Sequence, residues 1–465
     1  MAGLKQFTGT SGFKAAMLGM VILLLLIPVA MIRNIIRERA VLAEGAEEEI
    51  MRAWGDEFLI LGPVLQIPLV EYEEIKTKND KGEEKIEVWQ HTALYRFAPE
   101  QLSADVVLKT EIKKRGIFSV PLYGGQIHLS GTFATEKIGA GLEPNQKLFP
   151  ERAELVIALS GQRGIRGVSS AEWNGGNFEF LSGSQGFSLR SYGQGGIHSP
   201  VNIAAGKANT FDIRMDIQGG KSLRMIPLGG DTDLFIKADW NAPSFKGAYL
   251  PIEKSIDEKG FEARWQISHL SRNIPSSWIE MDGIVSELAE ARFGVDFFKV
   301  LDHYDLNTRA VKYALLFLIV PFLSLFLIEN ILRKKDRQGA EGLAPMGIHP
   351  VQYLLAGIGN VVFYLLLLAF SEHISFHAAY WIAAPAVIIM TGLYSRTLLG
   401  AWSRSLLMAM IMLLCYAFLY FTLQSEDWAL LIGALGCFVI IAAVMFFTRR
   451  LNWYGAKEDT ATEMS

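Results

Sequence analysis

The chain of 465 residues carries one long apolar segment near its start and five more near its end, with a long water-soluble stretch between them. A bilayer core about 30 Å thick is crossed by roughly 20 apolar residues of α-helix. The six segments are close to this length, and none carries a charge deep inside it. They predict six transmembrane helices with a large extramembrane domain between the first and the second. The predicted spans are Ala15–Ile32, Ala310–Ile328, Val351–Phe370, Ala378–Tyr394, Leu406–Leu423 and Trp428–Phe447.

Basic residues in the short connections predict the orientation, because Lys and Arg accumulate on the cytoplasmic side. They follow the second, fourth and sixth spans, whereas the alternate connections, Ser371–His377 and Gln424–Asp427, contain none. Both termini are therefore expected in the cytoplasm and the large domain outside it. Arg33, Arg37 and Arg39 after the first span argue against this orientation. Three later basic clusters support it, because with six spans all three lie on the same side of the membrane. Those clusters are Arg333, Lys334, Lys335 and Arg337, then Arg396 and Arg404, then Arg449 and Arg450.

The first span is expected to stay in the protein as an anchor. Its apolar stretch is longer than the core of a typical signal peptide, and no clear small-x-small cleavage site precedes Arg33. Residues Asn34–Arg52 are rich in Arg and Glu and read as the same helix continuing into water.

Composition limits the partners and cofactors. The formal net charge is −4, so nucleic acid is not expected as a partner. Cys415 and Cys437 both lie in predicted spans, which leaves the large domain without a disulfide. Three histidines of that domain, His128, His198 and His269, show no ligand spacing. We therefore expect neither a metal nor another cofactor, and the lipid bilayer is the first expected partner.

The large domain reads as mostly β, because short runs of Val, Ile and Phe alternate with Gly, Asn and Asp. Many short strands at short spacing favour a sandwich-like fold or an open barrel, and the length also allows a second β subdomain. Phe211–Ile217 alternates apolar and charged residues cleanly. Gly124-Gly125 is interpreted as a hairpin break, and Thr77–Lys85 as a charged turn between strands. Further strands are predicted at Gly116–Tyr123, Gln126–Phe133, Leu155–Leu159, Leu234–Trp240 and Phe261–Ile267.

These features divide the chain into four predicted parts. They are a segment with the N-terminus, the first span and its extension (1–49), a β-rich domain (50–308), a five-helix bundle (309–454) and a cytoplasmic tail (455–465).

Ser371, Glu372 and His373 form the sharpest candidate site, directly after the apolar run of the third span. A carboxylate beside an imidazole is suited to a proton relay or to base catalysis. Adjacent helical residues point about 100° apart, so the three cannot form a triad by themselves. The alternative interpretation is a helix end at the membrane surface, where polar residues are expected.

Four further residues are candidates for function. Arg309 and Lys312 could bind anionic lipid headgroups or couple the domain to the bundle, or they could simply extend to the interface. His349 precedes Pro350 and is typical of a helix start. Asn360 could line a polar path or make an interhelix hydrogen bond, and Gly357 and Gly359 beside it allow close helix packing.

Several catalytic and transport signatures are missing from the sequence. It contains no GxxxxGK[ST], HExxH or GxSxG motif. The spans lack the buried charges of ion-coupled transporters, and the late spans show no inverted repeat. A pump or secondary transporter is disfavoured.

The whole sequence resembles the CreD family of bacterial inner-membrane proteins, also called the cell envelope integrity family. The resemblance rests on the order of several motifs within this topology. They are Leu61–Pro68, Arg163–Ile165, Gly260–Trp265, Tyr304–Tyr313, His349–Tyr353, Tyr364–His373 and Thr448–Tyr454. Matching signature positions are Arg309, His349, Pro350, Glu372, His373, Arg449, Arg450 and Trp453.

The resemblance implies an inner-membrane location and expression under the CreBC two-component system. Together with the orientation predicted from the basic residues, this location puts the large domain in the periplasm. The resemblance also implies a role in envelope integrity and in tolerance of some colicins and β-lactams, and it brings no catalytic residues. The leading hypothesis is a non-enzymatic envelope protein whose β domain contacts lipid, wall material or a periplasmic or membrane protein. Two alternatives remain open: a membrane enzyme or lipid-handling protein using Glu372 and His373, and a channel or export accessory subunit.

Overall fold

The chain divides into two compact units in a computed structural model. The helical unit comprises Met1–Ala43 and Leu301–Ser465, and the β unit comprises Glu44–Val300. The domain boundaries after residues 49, 308 and 454 remain predictions. The structure describes residues 11–55, 57–78, 84–116, 118–140, 142–160, 162–187, 195–204, 207–279, 284–297, 303–336, 348–425 and 428–449.

The described residues form eight α-helices, and the first is by far the longest. It continues without interruption to Trp54, which confirms the predicted extension of the first span. The helices are α1 (Ser11–Trp54), α2 (Val285–Glu290), α3 (His303–Lys312), α4 (Ala314–Asp336), α5 (Pro350–Ser371), α6 (Phe376–Leu399), α7 (Trp402–Gln424) and α8 (Ala429–Thr448).

Four helices of the described chain, α1, α5, α6 and α7, are each long and apolar enough to cross a membrane. A fifth candidate is the pair α3 and α4, which meet at a bend of 46°. Helix α8 contributes a shorter apolar segment, Leu431–Phe446, within the described residues.

The second predicted span, Ala310–Ile328, is therefore not one straight helix. The chain breaks at Tyr313, whose N–H donates to Ala310 O at 3.1 Å and whose carbonyl accepts from Leu316 N–H at 3.0 Å. These bonds join residues three apart, and such tight turns mark a change of direction between helices.

Gly357 of α5 lies at a point of close helix packing. A Cβ atom at this position would lie 2.2 Å from Leu25 Cδ1 of α1 and 2.7 Å from Phe322 Cζ of α4. Small residues at such points let helix backbones approach closely in a membrane. The predicted role of Gly357 in close packing is confirmed.

We expect Gly357→Ala to lower the free energy of unfolding by about 1–3 kcal/mol, because the added methyl group overpacks the contact of three helices. The matched control is Gly19→Ala in α1, where a Cβ atom would meet nothing within 4 Å. Thermal unfolding of both variants in detergent tests this. Equal stability of the two variants would contradict the proposed packing.

Two sheets make up the β unit, and the larger has ten strands among the described residues. Its pairs are antiparallel except for β1 with β12. Strand β1 is its centre, since it pairs with β2, β5, β6 and β12. Numbered along the chain, the ten are β1 (Phe58–Lys78), β2 (Glu84–Phe97), β5 (Gln146–Leu148), β6 (Glu154–Leu159), β9 (Leu181–Ser182), β10 (Gly195–Pro200), β12 (Ser222–Met225), β14 (Pro243–Gly247), β17 (Ser277–Trp278) and β18 (Phe293–Phe297).

The second sheet has eight strands in the described chain, in the order β15-β16-β13-β3-β4-β11-β7-β8. Its pairs are antiparallel except for β3 with β13. The strands are β3 (Gln101–Arg115), β4 (Phe118–Phe133), β7 (Ile165–Trp173), β8 (Gly176–Asn177), β11 (Asn209–Gly219), β13 (Asp231–Ala238), β15 (Glu253–Asp257) and β16 (Gly260–Ser268).

The main core lies between the two sheets, which makes the β unit a sandwich. Strand β1 faces this core with Phe58 and Ile60, and then with Leu65 and Ile67. The change from even to odd positions follows from a register shift between Leu61 and Val64. A smaller core covers the opposite face of the ten-stranded sheet and includes Val64, Trp278 and Leu288.

The alternating patterns predicted strands well. The prediction for Phe211–Ile217 is confirmed by β11, in which buried and exposed residues alternate. The predicted hairpin at Gly124-Gly125 is wrong, because β4 runs straight through it. Both glycines stay in register with β3 and β11, and a Cβ at Gly125 would lie 2.1 Å from Val107 O. The turn predicted at Thr77–Lys85 lies mostly outside the described residues.

Candidate functional site

Helix α5 ends at Ser371, and Glu372 follows it in a helical conformation as the cap residue. The structure thus places Ser371, Glu372 and His373 at a helix end. The three side chains differ in environment, because Ser371 is buried and His373 is exposed. The imidazole of His373 makes no hydrogen bond to any residue in the described part of the chain.

Glu372 joins three helices of the helical unit. Tyr304 of α3 donates its hydroxyl to Glu372 Oε1 at 3.2 Å, and Arg39 Nε of α1 lies 3.7 Å from the same oxygen. The Glu372 side chain is only 11% exposed. We call these three residues, with Asn307 and Ser371, the Glu372 cluster.

The remaining polar groups of the Glu372 cluster also satisfy one another. Asn307 Nδ2 donates to Ser371 Oγ at 2.9 Å, and Ser371 Oγ donates to Leu368 O at 3.0 Å. An activated serine would need its hydroxyl hydrogen-bonded to a base, with that base oriented by a third group. Here the hydroxyl proton goes to a backbone carbonyl, so the geometry suits a tie between helices better than nucleophilic catalysis.

Arg309 and Lys312 lie in the last turn of α3. Cations at a helix C-terminus are stabilised by the helix dipole. Lys312 is exposed, whereas Arg309 is partly buried and its Nη1 has no hydrogen-bond partner among the described residues. No hydrogen bond or ion pair joins Arg309 to Glu372 in the described chain.

Asn360 lies at a contact between α5 and α7. It is 2% exposed, and its Oδ1 accepts a hydrogen bond from Tyr416 Oη at 3.3 Å. Tyr380 of α6 donates to Tyr416 O at 2.6 Å and extends this contact to a third helix. Asn360 thus makes an interhelix hydrogen bond, as one of its two interpretations predicts.

His349 caps the start of α5. Its Nδ1 accepts from Val351 N–H at 3.3 Å, and Gln352 Oε1 accepts from His349 N–H at 2.8 Å. Together these bonds form a capping box, with Pro350 in the first turn. The predicted helix start is confirmed.

A second charged contact escaped the sequence analysis. Lys14 of α1 is bonded to Glu329 of α4, and Tyr353 of α5 donates to the other carboxylate oxygen at 2.9 Å. Glu329 is 3% exposed and Tyr353 is fully buried. We call these three residues the Glu329 cluster. A signal did exist, because Lys14 directly precedes the first predicted span and Glu329 directly follows the second.

Helix α1 is therefore held by a charged contact at two levels. Lys14 and Arg39 are 25 residues apart in one continuous helix, a distance of about 38 Å at 1.5 Å per residue. This exceeds the hydrocarbon thickness of about 30 Å and lies within the thickness that includes the headgroups. One charged contact can thus lie at each surface of a bilayer.

We expect Lys14→Met and Glu329→Met each to destabilise the helical unit by about 3 kcal/mol, because each leaves a partner charge buried. The double variant should lose much less than the sum of the two. Unfolding of all three in detergent measures this coupling as a double-mutant cycle. Additive losses would show that the two side chains do not stabilise each other.

The β unit also buries polar groups that the sequence did not single out. Arg96 and Gln66 lie opposite each other on β2 and β1, and they are 5% and 2% exposed. Arg96 Nη1 donates to Ile279 O at 3.0 Å, and burial lowers the pKa of Arg96 to about 10. His198 is hydrogen-bonded to Gln185 and Gly183.

No cluster of three or more His, Cys, Asp or Glu suited to a metal is present among the described residues.

The sequence model of the family described as "Inner membrane protein CreD" matches residues 10–454. This chain belongs to the CreD family. A curated relative, the inner membrane protein CreD of Escherichia coli (strain K12), is 31% identical over 435 residues, which cover 93% of this chain and 91% of that protein. The resemblance inferred from the sequence motifs is thereby confirmed.

This member of the CreD family is an inner membrane protein with several apolar helices and a large β unit. Comparison with solved structures adds a candidate nutrient binding protein of Legionella pneumophila, at 8% identity and a TM-score of 0.24. That likeness covers 39% of this chain and 68% of the other, and it is too weak to inform the fold or the site.

Proposed function

We propose that this CreD-family protein crosses the inner membrane six times, with both termini in the cytoplasm and the β unit in the periplasm. In this arrangement α3 with α4 forms the second span and α8 the sixth. Arg396 and Arg404 border one short connection, and the alternate connection at Ser371–His377 has no Lys or Arg, which supports this orientation.

Within this arrangement, the proposed role is to maintain the cell envelope under stress, including antimicrobial stress, without catalysing a reaction. The observation that carries it is the pair of charged contacts at Lys14 and Arg39, two points of α1 that are about 38 Å apart along the helix. Polar groups that satisfy one another stabilise and position helices. The bundle would thus serve as a rigid anchor that presents the β unit to lipid, wall material or a protein partner.

The membrane-enzyme or lipid-handling alternative rests on one observation. Glu372 is a nearly buried carboxylate held by Tyr304 and Arg39 next to an exposed imidazole at His373. A catalytic carboxylate and a structural one respond differently to amidation, which separates the two functions experimentally.

The topology is tested by single cysteines in a background lacking Cys415 and Cys437. Ser255→Cys on β15 should react with a membrane-impermeant maleimide in spheroplasts, because β15 is exposed in the β unit. Ser403→Cys, exposed near the start of α7, should react only after lysis. Labelling of Ser403→Cys in intact spheroplasts, or protection of Ser255→Cys, would contradict the orientation.

The role of Glu372 is tested by complementing an envelope-sensitivity phenotype at matched membrane levels. We expect Glu372→Gln to rescue, because an amide oxygen still accepts from the Tyr304 hydroxyl. Glu372→Leu should rescue poorly and unfold at lower temperature, because it leaves the hydroxyl of Tyr304 and the charge of Arg39 without this partner. His373→Ala should rescue fully, because its side chain is exposed.

The opposite pattern would favour an enzyme. If Glu372→Gln or His373→Ala fails while its thermal unfolding and membrane level match wild type, the side chain acts chemically and a substrate search is justified. Tyr304→Phe is the matched control, since it removes the hydrogen bond and leaves the carboxylate in place.

A further inference from the structure

The β unit carries an open cleft of about 510 Å³ on the eight-stranded sheet. This volume lies within the range of small-molecule and cofactor pockets. Strands β3, β4, β13 and β16 are neighbours in the sheet, and their side chains line the cleft. No notable sequence motif marks it, because its residues come from four separate strands.

Strand register brings these polar side chains into rows on the face that points away from the core. In one row Ser130, Ser103, Asp233 and Gln266 are direct cross-strand neighbours. In the next row, two residues along, Gln101 lies beside Asp231. Neighbouring strands are about 4.8 Å apart, so a row of four spans roughly 14 Å.

Much of this array is available for a ligand. The side chains of Gln101, Ser103, Ser130 and Asp231 make no hydrogen bond or ion pair with another residue in the described chain. Asp233 is instead held by Arg264 Nη2 at 2.8 Å and by Gln266 Nε2 at 3.1 Å. The cleft therefore combines fixed and unoccupied hydrogen-bonding groups.

The chemistry of the lining selects the class of ligand. Its amides, hydroxyls and carboxylates can donate to and accept from adjacent hydroxyl groups. The lining includes two carboxylates, Asp231 and Asp233, and no Lys or Arg. Arg264 beside the lining is paired with Asp233, so the cleft carries no excess positive charge, which disfavours phosphates and other anions. The lining side chains on the open face end in polar groups, and the apolar lining residues Leu102 and Ile267 are buried, which disfavours an acyl chain.

We propose that this cleft binds a neutral, hydroxyl-rich oligosaccharide. Phe235 lies outside the cleft lining, two residues beyond Asp233 on the same strand face, and is partly buried. An aromatic ring at this distance provides an apolar surface only for a ligand longer than the cleft, such as an oligosaccharide that extends along the strand. The biological meaning of this site rests on the proposed periplasmic location, where glycans of the cell wall are within reach.

Binding of chitotetraose to the purified full-length protein in detergent tests the site directly, by calorimetry. The variant Gln101→Ala/Asp231→Ala removes two cross-strand neighbours in the cleft. Its matched control is Gln126→Ala/Asp216→Ala, a second Gln and Asp that are cross-strand neighbours on the same face outside the cleft. We expect at least a tenfold loss of affinity in the first variant and none in the second.

Three results would overturn the proposal. The first is no binding of chitotetraose by the wild-type protein, and the second is an equal loss of affinity in both double variants. The third is salt-sensitive binding of tetralysine in preference to the glycan, which would assign the two carboxylates to a cationic peptide. Because the assay uses detergent-solubilised protein, it is independent of membrane orientation. A failed glycan assay with correct maleimide labelling would reject the cleft proposal alone.

Discussion

Helices in a bilayer gain little from burying leucine against one another, because lipid is as apolar as the side chains they would exchange. The helical unit therefore depends on a few polar contacts and on close packing at small residues. The Glu329 and Glu372 clusters provide the charged contacts, and both include α1. Between them, Gly357 lets α5 approach Leu25 of α1 and Phe322 of α4.

The same principle explains why charge is tolerated inside this unit. A buried carboxylate is costly unless other groups satisfy it. Glu329 has Lys14 and Tyr353, and Glu372 has Tyr304 and Arg39. Each carboxylate is thus satisfied by groups from two other helices, so each cluster fixes the relative positions of three helices at once.

The sequence predicted the strands and helix ends well where a local pattern decides the structure. Alternation identified β11, and His349-Pro350 identified the start of α5. The prediction failed where contacts between residues far apart in the sequence determine the local structure. Gly124-Gly125 has the composition of a turn, but these residues pair with β3 on one side and with β11 on the other, which keeps them in a strand. The bend at Tyr313 lies inside an apolar run that has no local signal for a break. The partners of Glu329 and the cleft lining likewise come from segments far apart in the chain.

The charged contacts of α1 also determine the order in which the protein can assemble. Lys14 is separated from Glu329 by 315 positions, and Arg39 from Glu372 by a similar stretch. During synthesis, α1 is complete long before either carboxylate exists. The β unit lies between them in the sequence, so it leaves the ribosome and can fold before Glu329 and Glu372 are synthesised. Closure of the bundle is therefore a late event in biogenesis, completed only as α4 and α5 join a first helix already in place.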